Sequence, residues 1–213
     1  ANGGVDVWEV WPPTVPTGGF LWVTGAGFRL ADRFELQQRG TPAVPLTTVT
    51  SSPGETTVRI PAQLEPGTFH LSVVREGQAI GCQPTVSVFA GRVLFVSPGG
   101  DDGASGEEAA PWKSLTTALT RVQSGDFVYL RTGSYEGEFD ITTSGEPGRP
   151  IGLVGYPDDW PVLTTPLTAR GCMNATLNVT GSDVLVDHLN VANELRHCLR
   201  AVHVRGRWLF ESN

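Results

Sequence analysis

The stretches Leu177-Asn-Val-Thr-Gly-Ser-Asp-Val-Leu185 and Val202-His-Val-Arg-Gly-Arg-Trp-Leu-Phe210 align at an offset of 25, matching Gly181 to Gly206 and apolar positions to apolar positions. A unit of this size, two short runs joined through a glycine, cannot bury its apolar face alone. Repeats of it stack into coils that share one core, which predicts a solenoid of short strands. The runs continue toward the N-terminus as Phe127–Leu130, Phe139–Thr142, Pro150–Val154, Val162–Thr165, Thr176–Thr180, Val184–Val186 and Leu189–Val191, with Val202–Arg205 and Trp208–Phe210 after them. Gly, Pro, Asn and Asp separate them, as turns require, and they suffice for roughly three coils. Ahead of them Leu115, Ala118, Leu119 and Val122 fall at i, i+3, i+4, i+7, the spacing of one buried helical face, with Ser114 placed as N-cap. The first coil of a stack has an unpaired edge and an open apolar end, so this helix is expected to cap it.

A different pattern fills the first 90 residues. Alternating runs at Val5–Val10, Phe20–Thr24, Phe34–Gln38, Leu46–Thr50, Thr57–Ile60, Phe69–Val74 and Thr85–Phe89 are punctuated by Pro12-Pro13, Gly18-Gly19, Pro53-Gly54 and Pro66-Gly67. Seven short strands at this spacing predict an Ig-like β-sandwich. The fold class is therefore all-β with one short capping helix, and the expected domains are residues 1–90 and 91–213.

The composition narrows the function classes. The 213 residues carry a net charge of -7, with 14 arginines but a single lysine, Lys113. No cluster of basic residues stands clear of acids, so nucleic acid is not an expected partner. No window is apolar for long enough to cross a bilayer, and the start, Ala1-Asn-Gly-Gly-Val-Asp6, has neither the basic nor the apolar segment of an export signal. The expectation is a secreted chain from which such a signal has been removed.

Two resemblances then emerge. Pro16-Thr-Gly-Gly-Phe-Leu-Trp-Val-Thr-Gly25-Ala-Gly-Phe28, with Val58-Arg-Ile-Pro61 and Pro66-Gly-Thr-Phe-His-Leu-Ser-Val73, resembles TIG/IPT domains over about residues 10–89. Phe95-Val-Ser-Pro-Gly-Gly-Asp101, Pro111-Trp-Lys-Ser-Leu115, Gly125-Asp-Phe-Val-Tyr-Leu-Arg-Thr-Gly-Ser-Tyr135 and Ile141-Thr-Thr-Ser-Gly-Glu-Pro-Gly-Arg-Pro-Ile151 resemble the opening of a right-handed parallel β-helix of the pectate-lyase-like kind. The second resemblance covers residues 93–213. It implies a bacterial extracellular protein that acts on or binds polysaccharide or a cell-surface glycan. It also implies more coils than this chain holds, so the sequence reads as an N-terminal fragment whose missing C-terminal coils are a partner of its own parent chain.

Candidate site residues follow from both sources. Asp101 and Asp102, with Glu107 and Glu108, form a Gly-rich acidic loop offering the oxygen ligands calcium prefers, though without the D-x-D-x-D-G register; a solvated turn is the alternative. Asp183 and Asp187 lie on or beside an outward strand near His188 and Asn190. Lyases of this fold place acidic calcium ligands on neighbouring coils, where the metal neutralises a uronate carboxylate while Lys or Arg takes the α-proton. The resemblance thus makes Asp183 and Asp187 metal candidates, with Arg196, Arg200, Arg205 and Arg207 the only nearby bases. Catalytic residues are not assigned. Among the histidines, His188, His197 and His203 read as surface residues or metal ligands. Cys172 and Cys198 are 26 apart against a coil offset of 25, which places them on adjacent rungs about 5 Å apart, within reach of a disulfide worth about 3 kcal/mol. The one-residue mismatch counts against that bridge, and Cys82 is left as a buried strand thiol. Trp8, Trp11 and Trp22 read either as sandwich core or as a sugar-stacking surface, and Trp112 as part of the cap helix.

The activity that the resemblance implies is calcium-assisted β-elimination on an acidic polysaccharide, carried by the full-length parent rather than by this part alone. The alternatives are a non-enzymatic adhesion or structural solenoid, and a glycoside hydrolase on the same fold, which would need carboxylates paired across neighbouring coils.

Overall fold

The computed structural model describes residues 4–165, 176–193, 202–204 and 208–210, with backbone alone for 193, 202–204 and 208–210. The chain divides into two compact units, Ala1–Arg92 and Val93–Asn213.

The first unit contains β1 (Asp6–Trp11), β2 (Thr14–Pro16), β3 (Phe20–Ala26), β4 (Arg33–Gln37), β5 (Val44–Pro45), β6 (Thr47–Ser51), β7 (Glu55–Arg59), β8 (Gly67–Arg75), β9 (Gln78–Ile80) and β10 (Thr85–Phe89). They form one sheet in the order β1-β3-β7-β6 and another in the order β2-β10-β8-β4-β5, with β9 on β8. Strand alternation sends Leu21, Val23 and Val58 from the first sheet, and Phe34, Leu36, Phe69, Leu71, Val73, Val86 and Val88 from the second, into one shared core. The three tryptophans do not share a surface. Trp11 and Trp22 are register partners, buried edge to face at 5.7 Å, whereas Trp8 sits at the bulge of β1 and is 73% exposed. Cys82 is exposed and lies after β9, outside any strand. The preceding Gly81, at φ +76° against the Val5 carbonyl, turns the chain before the strand pattern reaches the cysteine.

The second unit opens with β11 (Val93–Val96) and α1 (Leu115–Arg121). It continues through β12 (Phe127–Leu130), β13 (Ser134–Glu136), β14 (Phe139–Ile141), β15 (Ile151–Gly155), β16 (Val162–Thr165), β17 (Leu177–Val179), β18 (Val184–Asp187), β19 (Asn190–Asn193), β20 (Val202–Val204) and β21 (Trp208–Phe210). Three sheets result, β11-β12-β15-β18-β21, β13-β16-β19 and β14-β17-β20, and the pairing within each is parallel. The chain visits the sheets in turn and returns one strand further along, which is a parallel β-helix. Stacked rows fill its interior. Leu94, Val128, Leu153 and Val186 are successive register partners in the first sheet, and they meet Leu163 of the second and Phe139, Ile141, Leu177 and Val179 of the third.

The repeat offset of 25 holds where β17 pairs with β20, Leu177 opposite Val202. In the neighbouring sheet Val184 pairs with Trp208 rather than Leu209, one residue short of the offset. The β21 residues that meet β18 are thus displaced by one from the positions the repeat alignment gives, which exchanges the faces of that strand relative to the expectation.

The cap forms as the spacing predicts. Ser114 is the N-cap, its Oγ accepting from the Thr117 N–H at 3.2 Å. Leu115, Ala118 and Val122 are buried in the coil core, and α1 packs on β11 and β14. Trp112 belongs to the segment before the helix, not to the helix itself. Its N–H donates to the Phe95 carbonyl at 3.0 Å and its indole Nε1 to the Ala104 carbonyl at 2.9 Å. Asp102 Oδ1 accepts from the N–H groups of Lys113 and Ser114, at 3.0 and 2.8 Å, and so ties down the approach to the helix, with Ser114 extended at its N-cap.

Candidate functional site

The strands of the first coil sheet end on one edge of the stack, and there the chain gathers aromatic and charged side chains. β12 runs into Arg131 and Thr132, β15 into Tyr156, Asp158, Asp159 and Trp160, and β18 closes on Asp187 and His188. The register explains the alignment. Phe95, Tyr129, Val154 and Asp187 are successive partners across β11, β12, β15 and β18, so Asp187 ends a row whose earlier members are aromatic or apolar.

Each turn holds its side chains in place. The Tyr156 N–H donates to the Leu130 carbonyl at 2.8 Å and the Asp159 N–H to the Tyr156 carbonyl at 2.8 Å. Asp158 and His188 both take the left-handed conformation, with φ of +62° and +53°. β15 ends in Gly155 because the His188 carbonyl occupies the space a Cβ would need. Arg131 Nε lies 2.7 Å from Asp159 Oδ2, its guanidinium stacks 3.9 Å over the Tyr156 ring, and Thr132 Oγ1 donates to Asp159 Oδ1 at 2.7 Å. The Tyr156 hydroxyl in turn donates to Glu108 Oε1 at 3.1 Å. On the next rung the His188 N–H donates to Asp187 Oδ1 at 2.7 Å, and its Nδ1 lies 3.2 Å from Oδ2. The His188 ring stacks with Trp160 at 6.1 Å and 30°. Beneath this edge the buried Tyr135 hydroxyl lies 2.9 Å from the Arg131 carbonyl and 3.1 Å from that of Val96; burial pushes its ionisation well above the usual tyrosine range, so it stays a neutral donor.

The four acids singled out in the sequence are not brought together. Asp101 Oδ1 accepts from the Gly103 N–H at 2.9 Å and so closes its own turn. Asp102 anchors the approach to α1, Asp183 stands in a turn at φ +52°, and Asp187 is only 8% exposed, bound to His188 rather than facing outward. Among the described residues no three of His, Cys, Asp and Glu converge on a point where a metal ion could sit. Asp101 Oδ1, Asp102 Oδ1 and both Asp187 oxygens already have neighbours among backbone and side-chain groups, so the described residues form no ready set of oxygen ligands for calcium. Cys172, Cys198, His197, Arg196, Arg200, Arg205 and Arg207 lie outside the described residues, as does the side chain of His203.

Asp102 supports a prediction of its own. Hydrogen bonds from the Ser114 N–H first, and then from the Ser114 hydroxyl and Lys113, hold its carboxyl below the ordinary value of 3.8. A depressed carboxyl stabilises the fold fully above its unfolded value and loses that contribution as pH falls through the folded one. The stability of the coil should therefore begin to decline as pH drops below about 4, and Asp102→Asn should flatten that part of the stability–pH curve, read from denaturation midpoints.

Arg131, Tyr156, Asp159 and Trp160 escape a reading of the sequence because only stacking brings them to one edge. The one local signal is Asp158-Asp159-Trp160-Pro161, which sets a tryptophan in a turn where no core position is available.

No family model matches the chain. Among curated proteins it is 32% identical over 75 residues to the uncharacterised protein YwoF of Bacillus subtilis, covering 35% of this chain and 16% of that protein. It is 35% identical over 102 residues to pectate lyase L of Paenibacillus polymyxa, covering 46% of this chain and 22% of the lyase. A pectate lyase of Emericella nidulans is 37% identical over 65 residues, which is 30% of this chain and 16% of the enzyme. The chain thus spans less than a quarter of the length of each of these relatives. Among solved structures, a rhamnogalacturonan lyase superposes with a TM-score of 0.40 at 24% identity, over 46% of this chain and 28% of its own. The likeness is to lyase-like, carbohydrate-active proteins, at low identity and over part of their length. No helix among the described residues is long and apolar enough to cross a membrane.

Proposed function

We propose that the chain belongs to an exported bacterial β-helix protein that acts on polysaccharide, and that the residues described here bind the glycan rather than transforming it. The observation that carries the reading is the charged and aromatic edge built by Arg131, Tyr156, Asp159, Trp160 and His188 on successive rungs of a parallel coil. The similarity to two pectate lyases over a fraction of their length supports it. The sandwich, on this reading, is a TIG/IPT-like module: Gly25 of the opening motif lies where a Cβ would strike the Asp6 carbonyl, and Phe28 is buried in the core.

Elimination needs a base and a means of stabilising the carbanion next to a uronate carboxylate. On the edge Arg131 and His188 are the groups that could take a proton, each set against an acid, and no cluster of metal-ligating groups forms among the described residues. Asp159 is occupied by Arg131 and Thr132, Asp187 by His188, and the single lysine, Lys113, lies at the approach to the cap helix. In our proposal calcium-assisted β-elimination therefore resides in the parent, outside the described residues. The test is ultraviolet absorbance of the unsaturated uronate product, with pectate and alginate as substrates, with and without calcium, on this chain and on its longer parent. Calcium-dependent product from the parent alone is the expected outcome. Product from neither, with glycan binding retained, would replace the reading with a binding or adhesive one. A polar row favours that second reading: Asp140, Asn178 and His203 are register partners on the third sheet, and Asn178 Nδ2 donates to Asp140 Oδ1 at 2.7 Å, as in a ladder that rigidifies a stalk.

A further inference from the structure

Trp160 is a large apolar side chain left 52% exposed on a turn that is otherwise well held. Its neighbours hold the ring in place. Pro161 follows it and accepts the Asn190 N–H through its carbonyl at 2.9 Å, Asp158 before it is fixed at positive φ, and the His188 ring stacks against it. An indole held so, with half its surface in water, presents a rigid apolar plane at no further cost in side-chain entropy. The C–H face of a pyranose is the natural complement of such a plane. Carboxylates on this edge are acceptors suited to sugar hydroxyls, and Asp158, two residues before Trp160, is exposed.

The charge around the indole decides which sugar. Among the described residues Asp158, Asp159, Asp187 and Glu108 lie on this edge, and Arg131 and His188 are the basic groups set against them, each beside an acid. A uronate stacked here would bring its carboxylate into a field with more acid than base, in a chain of net charge -7. We infer that Trp160 is the platform of a subsite for an uncharged pyranose, stacked on the indole with its hydroxyls donating to Asp158. This rests on the glycan-binding reading above and adds to it that the sugar at this position carries no charge, whatever the rest of the polymer carries.

The test compares tetragalacturonate with its fully methyl-esterified form, and with galactotetraose as a second neutral probe, by isothermal titration calorimetry on the whole chain at low and at physiological salt. The neutral probes should bind, and the free acid should bind at least tenfold more weakly at low salt, the gap narrowing as salt screens the edge. Trp160→Ala should weaken the neutral probes at least tenfold while leaving the unfolding midpoint unchanged, and Trp160→Phe should stay within about threefold of the parent chain. Tighter binding of the free acid, binding indifferent to Trp160→Ala, or no binding of either neutral probe overturns the assignment. The product assay on the longer parent is independent of it. Failure there with neutral binding intact rejects the lyase reading alone, and success there without a Trp160 effect rejects the subsite alone.

Discussion

Ala118→Asp unfolds the coil and leaves the sandwich standing. Ala118 is fully buried on the inner face of α1, within the same apolar cluster as Leu115, Phe139 and Ile141. A carboxyl there has no partner, and the cost of desolvating it or holding it protonated is several kcal/mol, a large share of the roughly 5–15 kcal/mol that stabilises a domain. The helix has no reserve with which to resist. At seven residues it is too short to persist alone and owes its form to its N-cap and to the coil it covers. Hydrogen exchange should show β12, β14 and β15 losing protection while β3, β7 and β8 keep theirs. Protection retained in β14 would mean that the coil holds together without its cap.

The reciprocal experiment is Phe34→Ala. Phe34 is buried between the sheets of the sandwich, its ring 5.9 Å from that of Phe28. Truncating a phenylalanine in such a core costs about 3–5 kcal/mol through lost burial and the cavity left behind. The denaturation midpoint of the sandwich should fall accordingly, and protection should drop in β4, β8 and β10 with the coil unchanged. The two substitutions act in separate apolar clusters, so their effects should add in the double variant. A marked departure from additivity would show that the two clusters are energetically coupled.

What the residues alone disclose follows from how local each determinant is. Leu115, Ala118, Leu119 and Val122 mark the cap helix because its buried face is written in consecutive turns, and Ser114 marks its start for the same reason. Long runs such as Phe127–Leu130 and Thr85–Phe89 are equally plain. The three-residue strands β2, β9 and β13 are not. β13 is held by Tyr135, whose hydroxyl reaches carbonyls of two other segments, and β2 by its parallel pairing with β10, a partner some seventy residues away. Trp112 shares a short apolar neighbourhood with the helix, but Asp102 ties down the chain at Lys113 and Ser114 ahead of it, and no periodicity shows that. The candidate site is the least legible part. Trp160 and His188 meet only because β15 and β18 are neighbours in register and Gly155 leaves room for the turn between them. The stacking of coils creates that proximity, and no single turn encodes it. Asp187 shows the opposite error: an acid at the end of an outward row reads as a ligand until its neighbour's N–H is seen to claim it.

In the coil the inner strands of each sheet pair with one strand before them and one after, and α1 follows β11 and precedes all the later strands. Synthesis delivers the chain in that same direction, N-terminus first. Cap and opening strands can therefore assemble while later rungs are still being made, and each arriving strand finds a finished template rather than a distant partner. A stack built this way need not know its final height. Translation can append rungs without revisiting those already laid down, so that height becomes a matter of gene length and the cap a commitment made once, at the outset.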